Sequence, residues 1–181
     1  MSELQRFLPQ DQELLSGLLY RVGYWISNVD DTDEGNESEQ IERQHMIGCL
    51  TKISKAGKAG ALINEMALES LRQQQSWPRW ESQNDHILDS VAKALALIKS
   101  QGSQEELGAF IRASMMVATA VAHAFREEPE NTPDHENYFS WLAEKANDLV
   151  LSLSDKEAHK DLSISPEEDN ALNELLSVLK S

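Results

Sequence analysis

The sequence predicts an all-α fold, a single-domain bundle of about seven helices, and three observations carry that expectation. Apolar residues recur three and four apart through almost every long segment, no stretch alternates with the period of two that a strand requires, and helix start and stop residues punctuate the chain at intervals of one helix length. With 181 residues and 40 % hydrophobic content, the chain can build one real core. The expected domain is residues 1–181.

The first helix is expected from Gln10, after Pro9, to about Val29, on Leu14, Leu15, Leu18, Leu19, Val22, Trp25, Ile26 and Val29. An acidic run follows, and Asn36 or Ser38 is placed to cap a second helix that buries Ile41, Met46, Ile47, Leu50 and Ile53. Lys52, Lys55 and Gly57 close it, cations and glycine suiting a helix C-terminus. A third helix, about Ala59 to Gln75, stops at Ser76-Trp77-Pro78-Arg79-Trp80, because proline disfavours helix at itself and at the residue before it. The two tryptophans are expected to cover one end of the bundle; exposed, they would mark a protein contact.

The fourth helix runs from about Asn84 to Gly102 on Ile87, Leu88, Val91, Leu95 and Ile98. Ser103 with Glu106 reads as a capping box for the fifth, about Gln104 to Arg126, whose single full charge between Leu107 and Phe125 is Arg112. So apolar a helix is expected to be central and the most buried. A second acidic connection, Glu127-Glu128-Pro129-Glu130, leads to Thr132-Pro133 as N-cap and first turn of a sixth helix carrying Tyr138, Phe139, Leu142, Ala146, Leu149, Val150 and Leu153. Ser165-Pro166-Glu167-Glu168 starts the seventh, with Leu172, Leu175, Leu176 and Leu179 on one face. Laying Glu127 over Asp30 also lays the fifth and sixth helices over the first and second, so half-repeats over 10–57 and 104–153 are one possible organisation.

Charge narrows the function. A formal charge of −15 and a pI near 4.6 argue against nucleic acid and against anionic membrane surfaces, and favour cations or a basic protein partner. The longest uncharged run, Ala113 to Phe125, is too short to span a bilayer, so no membrane insertion is expected. Met1 to Glu13 holds no apolar run of the signal-peptide kind, and the single Cys49 fits a reducing cytoplasm. No enzyme motif of any strength is present, and no organic cofactor is implied. The sequence leaves the oligomeric state open.

Between Asp30 and Glu42 stand seven acids, Asp30, Asp31, Asp33, Glu34, Glu37, Glu39 and Glu42, with no Lys or Arg. Carboxylates so close repel one another, so they are either fully solvated or neutralised by a cation. Numbered as a calcium loop, Asp31, Asp33 and Glu42 fall at the first, third and twelfth places, but Asn36 stands where the glycine belongs. Glu42-Arg43-Gln44-His45 is one Glu-x-x-His pair of the di-iron kind; His86, His123, His135 and His159 supply no second. Cys49 on the apolar side of its helix reads as a small buried hydrophobe, and His123 as a core histidine.

Trp25-Ile26-Ser27-Asn28-Val29, then Asp30-Asp31-Thr32-Asp33-Glu34-Gly35, then Glu39 and Glu42 opening an apolar helix, resembles TerB-like (tellurite-resistance) domains. That resemblance implies about seven helices with approximate two-fold symmetry, and clustered acids that bind a divalent metal in a stress-related setting. It carries over to Asp30, Asp31, Asp33 and Glu42, and more loosely to Glu127, Glu128 and Glu130 as the second cluster. Asp31-Thr32-Asp33 departs from the usual Asp-Gly-Glu, and Arg126-Glu127-Glu128-Pro129 is no recognisable turn. Three readings result: a non-catalytic domain whose acidic loops bind a divalent cation or a basic partner, a metal-dependent enzyme using Glu42, His45 and acids brought in by the fifth and sixth helices, and a pure protein-interaction module. Convergence of the two acidic connections favours the first.

Overall fold

Eight α-helices form the bundle among the residues that the computed structural model describes, 2–29, 36–57, 60–124, 135–151 and 165–181, and no strand occurs among them. They are α1 (Pro9–Ser27), α2 (Asn36–Lys55), α3 (Ala61–Arg72), α4 (Trp77–Ser82), α5 (Ile87–Gln101), α6 (Gln104–His123), α7 (His135–Leu151) and α8 (Pro166–Leu179). The all-α expectation holds. The expected Thr132-Pro133 start of the sixth helix lies outside the described residues.

Local chemistry explains most boundaries. Ser103 accepts the Glu106 amide while the Glu106 carboxylate accepts the Ser103 amide, and Ser165 with Glu168 repeats the arrangement at α8. Gly60, at φ +79°, turns the chain into α3 through a conformation that L side chains rarely adopt.

The extra helix is α4, and it corrects one expectation. Trp77 and Pro78 do not break the helical path; they begin a new helix, because the first turn has no use for the amide hydrogen that proline lacks. Both tryptophans are buried, so they form no exposed patch. Trp77 stacks on Tyr20 of α1 with ring centres 4.4 Å apart and donates its indole N–H to the Ser70 carbonyl at 2.9 Å. Trp80 fills the space beside Gly17. Of the outer pair, Pro78 is exposed and Arg79 pairs with Glu13 at 2.7 Å.

Helix α6 is central as expected, packing on α1, α2, α3, α5, α7 and α8. Helix α1 shares that position, which its sequence conceals. Every residue from Leu15 to Gly23 is buried, Arg21 included, with its guanidinium donating to the Gln83 carbonyl at 2.9 Å and to Ser90 at 3.3 Å. Burial lowers the pKa of Arg21. In α2, Met46, Leu50 and Ile53 are buried, but Ile41 is exposed, the residues on that turn that meet the neighbouring helices being Glu39 and Glu42. Helices α2 and α7 both lie on α6 and touch each other through Tyr138 and Phe139 near the start of α7. No helix among the described residues is long and apolar enough to cross a membrane.

A Cβ at Gly17 would stand 2.6 Å from the buried Trp80 indole, a rigid ring, whereas Gly57 has open space around it. Gly17→Ala is expected to cost about 1–3 kcal/mol through overpacking, and Gly57→Ala to change stability by under about 1 kcal/mol. Urea denaturation of both variants measures the contrast; equal midpoints would show that the α1–α4 joint is loose.

Candidate functional site

A polar cleft of about 170 Å³ opens where the last turn of α1, the first half of α2 and the end of α6 come together. Ser27 and Asn28 close α1, Glu39 and Glu42 come from α2, Glu81 from α4, and Val121 from the last turn of α6. The Ser27 hydroxyl donates to the Glu42 carboxylate, and Asn28 donates to the Tyr24 carbonyl at 2.7 Å. On the far wall Glu81 accepts the Tyr20 hydroxyl at 2.6 Å, and the Arg43 guanidinium stands 3.4 Å from the same oxygen. Burial first, and the Glu81 carboxylate second, raise the pKa of the Tyr20 phenol.

One turn further along α2, His45 lies 3.2 Å from the Tyr138 hydroxyl of α7, with the two rings edge to face. His123, at the end of α6, packs on Trp141 with ring centres 4.9 Å apart and on Tyr138 at 6.3 Å. Tyr138 therefore contacts both histidines. Both belong to a packed aromatic cluster.

Of the predicted site residues, Glu42 lies in the cleft, half-buried. Asp30, Asp31, Asp33, Glu127, Glu128 and Glu130 lie outside the described residues. Their anchors are described: the first acidic connection joins Val29 to Asn36, and the second joins Ala124 to His135. All four ends meet at one end of the bundle, because Val121 shares the cleft with Ser27, Asn28 and Glu42, and Tyr138 reaches His45. The Glu42–His45 pair faces two neighbours, Glu42 toward Ser27 of α1 and His45 toward Tyr138 of α7. Among the described residues, no three His, Cys, Asp or Glu side chains stand close enough together to hold a metal ion. Cys49 is fully buried, and burial raises its thiol pKa, so it is a core residue and no nucleophile.

Glu81 and Tyr20 escaped the sequence reading. Glu81 directly follows the Trp-Pro-Arg-Trp segment, and its burial depends on that segment being helical; Tyr20 is part of an apolar stripe with nothing local to mark its partner.

Comparison with known proteins adds no relative: no protein-family model matches the chain, and no curated protein or solved structure gives a significant match.

The raised phenol pKa predicts an alkaline limb. An acid whose folded pKa exceeds its unfolded value contributes fully below the unfolded value, here 10.0 for tyrosine, and loses that contribution as pH climbs toward the folded one. Stability should therefore fall as pH rises past about 10. Tyr20→Phe should cost about 1–2 kcal/mol near neutrality and make the fall above pH 10 less steep, while the loss that sets in near 9.0, the ordinary value of the buried Cys49 thiol, stays in the variant. Denaturation midpoints from pH 7 to 11 decide it, and a wild-type limb that survives unchanged in the variant assigns it elsewhere.

Proposed function

We propose that this chain is a non-catalytic, TerB-like binding domain that captures a hard divalent cation at its acidic end, with Glu42, Asp30, Asp31 and Asp33 as the first ligand group and Glu127, Glu128 and Glu130 as the second. The supporting observation is the meeting of the four helix ends from which both acidic connections leave. Both runs of carboxylates leave from helix ends that meet there, and a small, highly charged ion held between them would relieve their mutual repulsion. The cleft walls add uncharged oxygen donors, the Ser27 hydroxyl and the Asn28 amide, of the kind hard cations accept. Bound there, the ion would neutralise charge and fasten α1, α2, α6 and α7 together. A cytoplasmic setting is part of the proposal and suits the single buried thiol.

One observation favours a second reading, in which the same end receives a basic protein partner. Arg43 already holds its guanidinium 3.4 Å from Glu81, so these carboxylates accept such a group. Which ligand the end takes is a measurable question.

Chelator-treated protein is melted with and without millimolar calcium, magnesium, manganese or zinc at fixed ionic strength. A cation at about 100 times its Kd adds about 2.7 kcal/mol, which for a chain of this size is a rise of roughly 5–10 °C. Asp31→Asn with Asp33→Asn, and separately Glu42→Gln, should abolish most of the rise. If no divalent ion outperforms a matched monovalent salt, the cation reading falls and the basic-partner reading replaces it.

A further inference from the structure

Away from the acidic end, α2, α6 and α7 enclose an open groove of about 860 Å³ whose floor is apolar, with Ile53, Met116 and Phe139 and several alanines. Its rim is cationic. Lys52 and Lys55 stand on the last turn of α2 and Arg112 on α6, all exposed, and no Asp or Glu is among the described residues that line the groove. In a chain with 31 acids against 16 bases, such a lining is the reverse of the average surface. Elsewhere Arg6, Arg43, Arg72, Arg79 and Lys93 each have a carboxylate within 4.0 Å, while Lys99 has none among the described residues. Among the described residues, Lys52, Lys55 and Arg112 have none, although Lys52 lies over the Phe139 ring at 5.8 Å.

The dimensions select an occupant. From Ala109 to Met116 the α6 floor runs about 10 Å, close to two turns of helix. The same length separates anchors i and i+7 on a helix, and Ala109, Ala113 and Ala143 leave room for such side chains between the walls.

We propose that this groove docks an acidic amphipathic helix of a partner protein, its apolar stripe against Ile53, Met116 and Phe139 and its carboxylates against Lys52, Lys55 and Arg112. The site is independent of the cation proposal, since it uses no residue of the acidic end. The probe is a blocked peptide about 15 residues long, enough to hold helix in water, with Leu at i, i+3, i+4 and i+7 and Glu at the flanking positions. The isotope-labelled full chain is titrated with it and followed by NMR. The expected result is saturable binding that shifts the Ala113 and Ala143 amides, weakens with salt, and weakens about tenfold in the double variant Lys52→Glu, Arg112→Glu. Both positions are exposed, and circular dichroism verifies that the variant folds.

Three results would overturn the proposal: no shift at millimolar peptide, equal binding of a peptide with Lys in place of every Glu, or wild-type affinity in the double variant. Two others reassign the groove and equally defeat it. Sedimentation showing a wild-type dimer that the double variant lacks gives it to a second copy of this chain. Dodecanoate shifting the groove amides where the peptide does not gives it to a small anionic amphiphile.

Discussion

The absence of a side chain at Gly17 is the constraint on which the α1 side of the molecule depends. The Trp80 indole occupies the space a Cβ would need, and through it α4 is seated on the most enclosed part of α1. The rest of the joint follows from that seat. Trp77 comes to stack on Tyr20, the Gln83 carbonyl receives the buried Arg21 guanidinium, and the Asn84 side chain donates back to the Arg21 carbonyl at 3.2 Å. A buried arginine is tolerable only with such partners, because an unpaired guanidinium away from water is costly to hold. Glu81, one residue past Trp80, is thereby directed to the Tyr20 hydroxyl and into the cleft. A packing requirement in the core thus fixes a carboxylate at the acidic end.

Charge is distributed along the bundle with a sense that the helices themselves impose. Both acidic connections enter α2 and α7 at their N-termini, and Glu37 and Glu39 stand in the first turn of α2, where the partial positive charge of the helix end favours them. Lys52 and Lys55 stand in its last turn, where the carbonyl ends favour cations. One helix therefore carries the acidic cleft at one end and two of the three groove cations at the other. The net charge of −15 is an average over a surface that is far from uniform.

What could be read from the sequence was local. The Ser103–Glu106 and Ser165–Glu168 boxes are complete within four residues, so their geometry is written in the spacing, and the apolar stripes of α5 and α8 are buried as their periodicity requires. The misreadings needed partners far along the chain. Trp77-Pro78 reads as a break until Tyr20 offers a surface to stack on, and Ile41 reads as a core residue although the bundle leaves it exposed. Of the candidate site, the acidic cluster and Glu42 were visible as composition, while Glu81 was not, because its partner lies 61 residues away. Lys52 and Lys55 were legible as a helix end; Arg112 and Phe139 make them the rim of a groove.

Helix α7 is the element on which both proposals converge. Tyr138 faces His45 and His123 beside the acidic end, and the next residue, Phe139, forms part of the groove floor beneath Lys52. Successive residues of one helix thus face different surfaces. Gly48 belongs to the same argument: a Cβ there would stand 2.9 Å from the Phe139 ring, so the close approach of α2 and α7 at this point is what separates the aromatic cluster on one side from the open groove on the other.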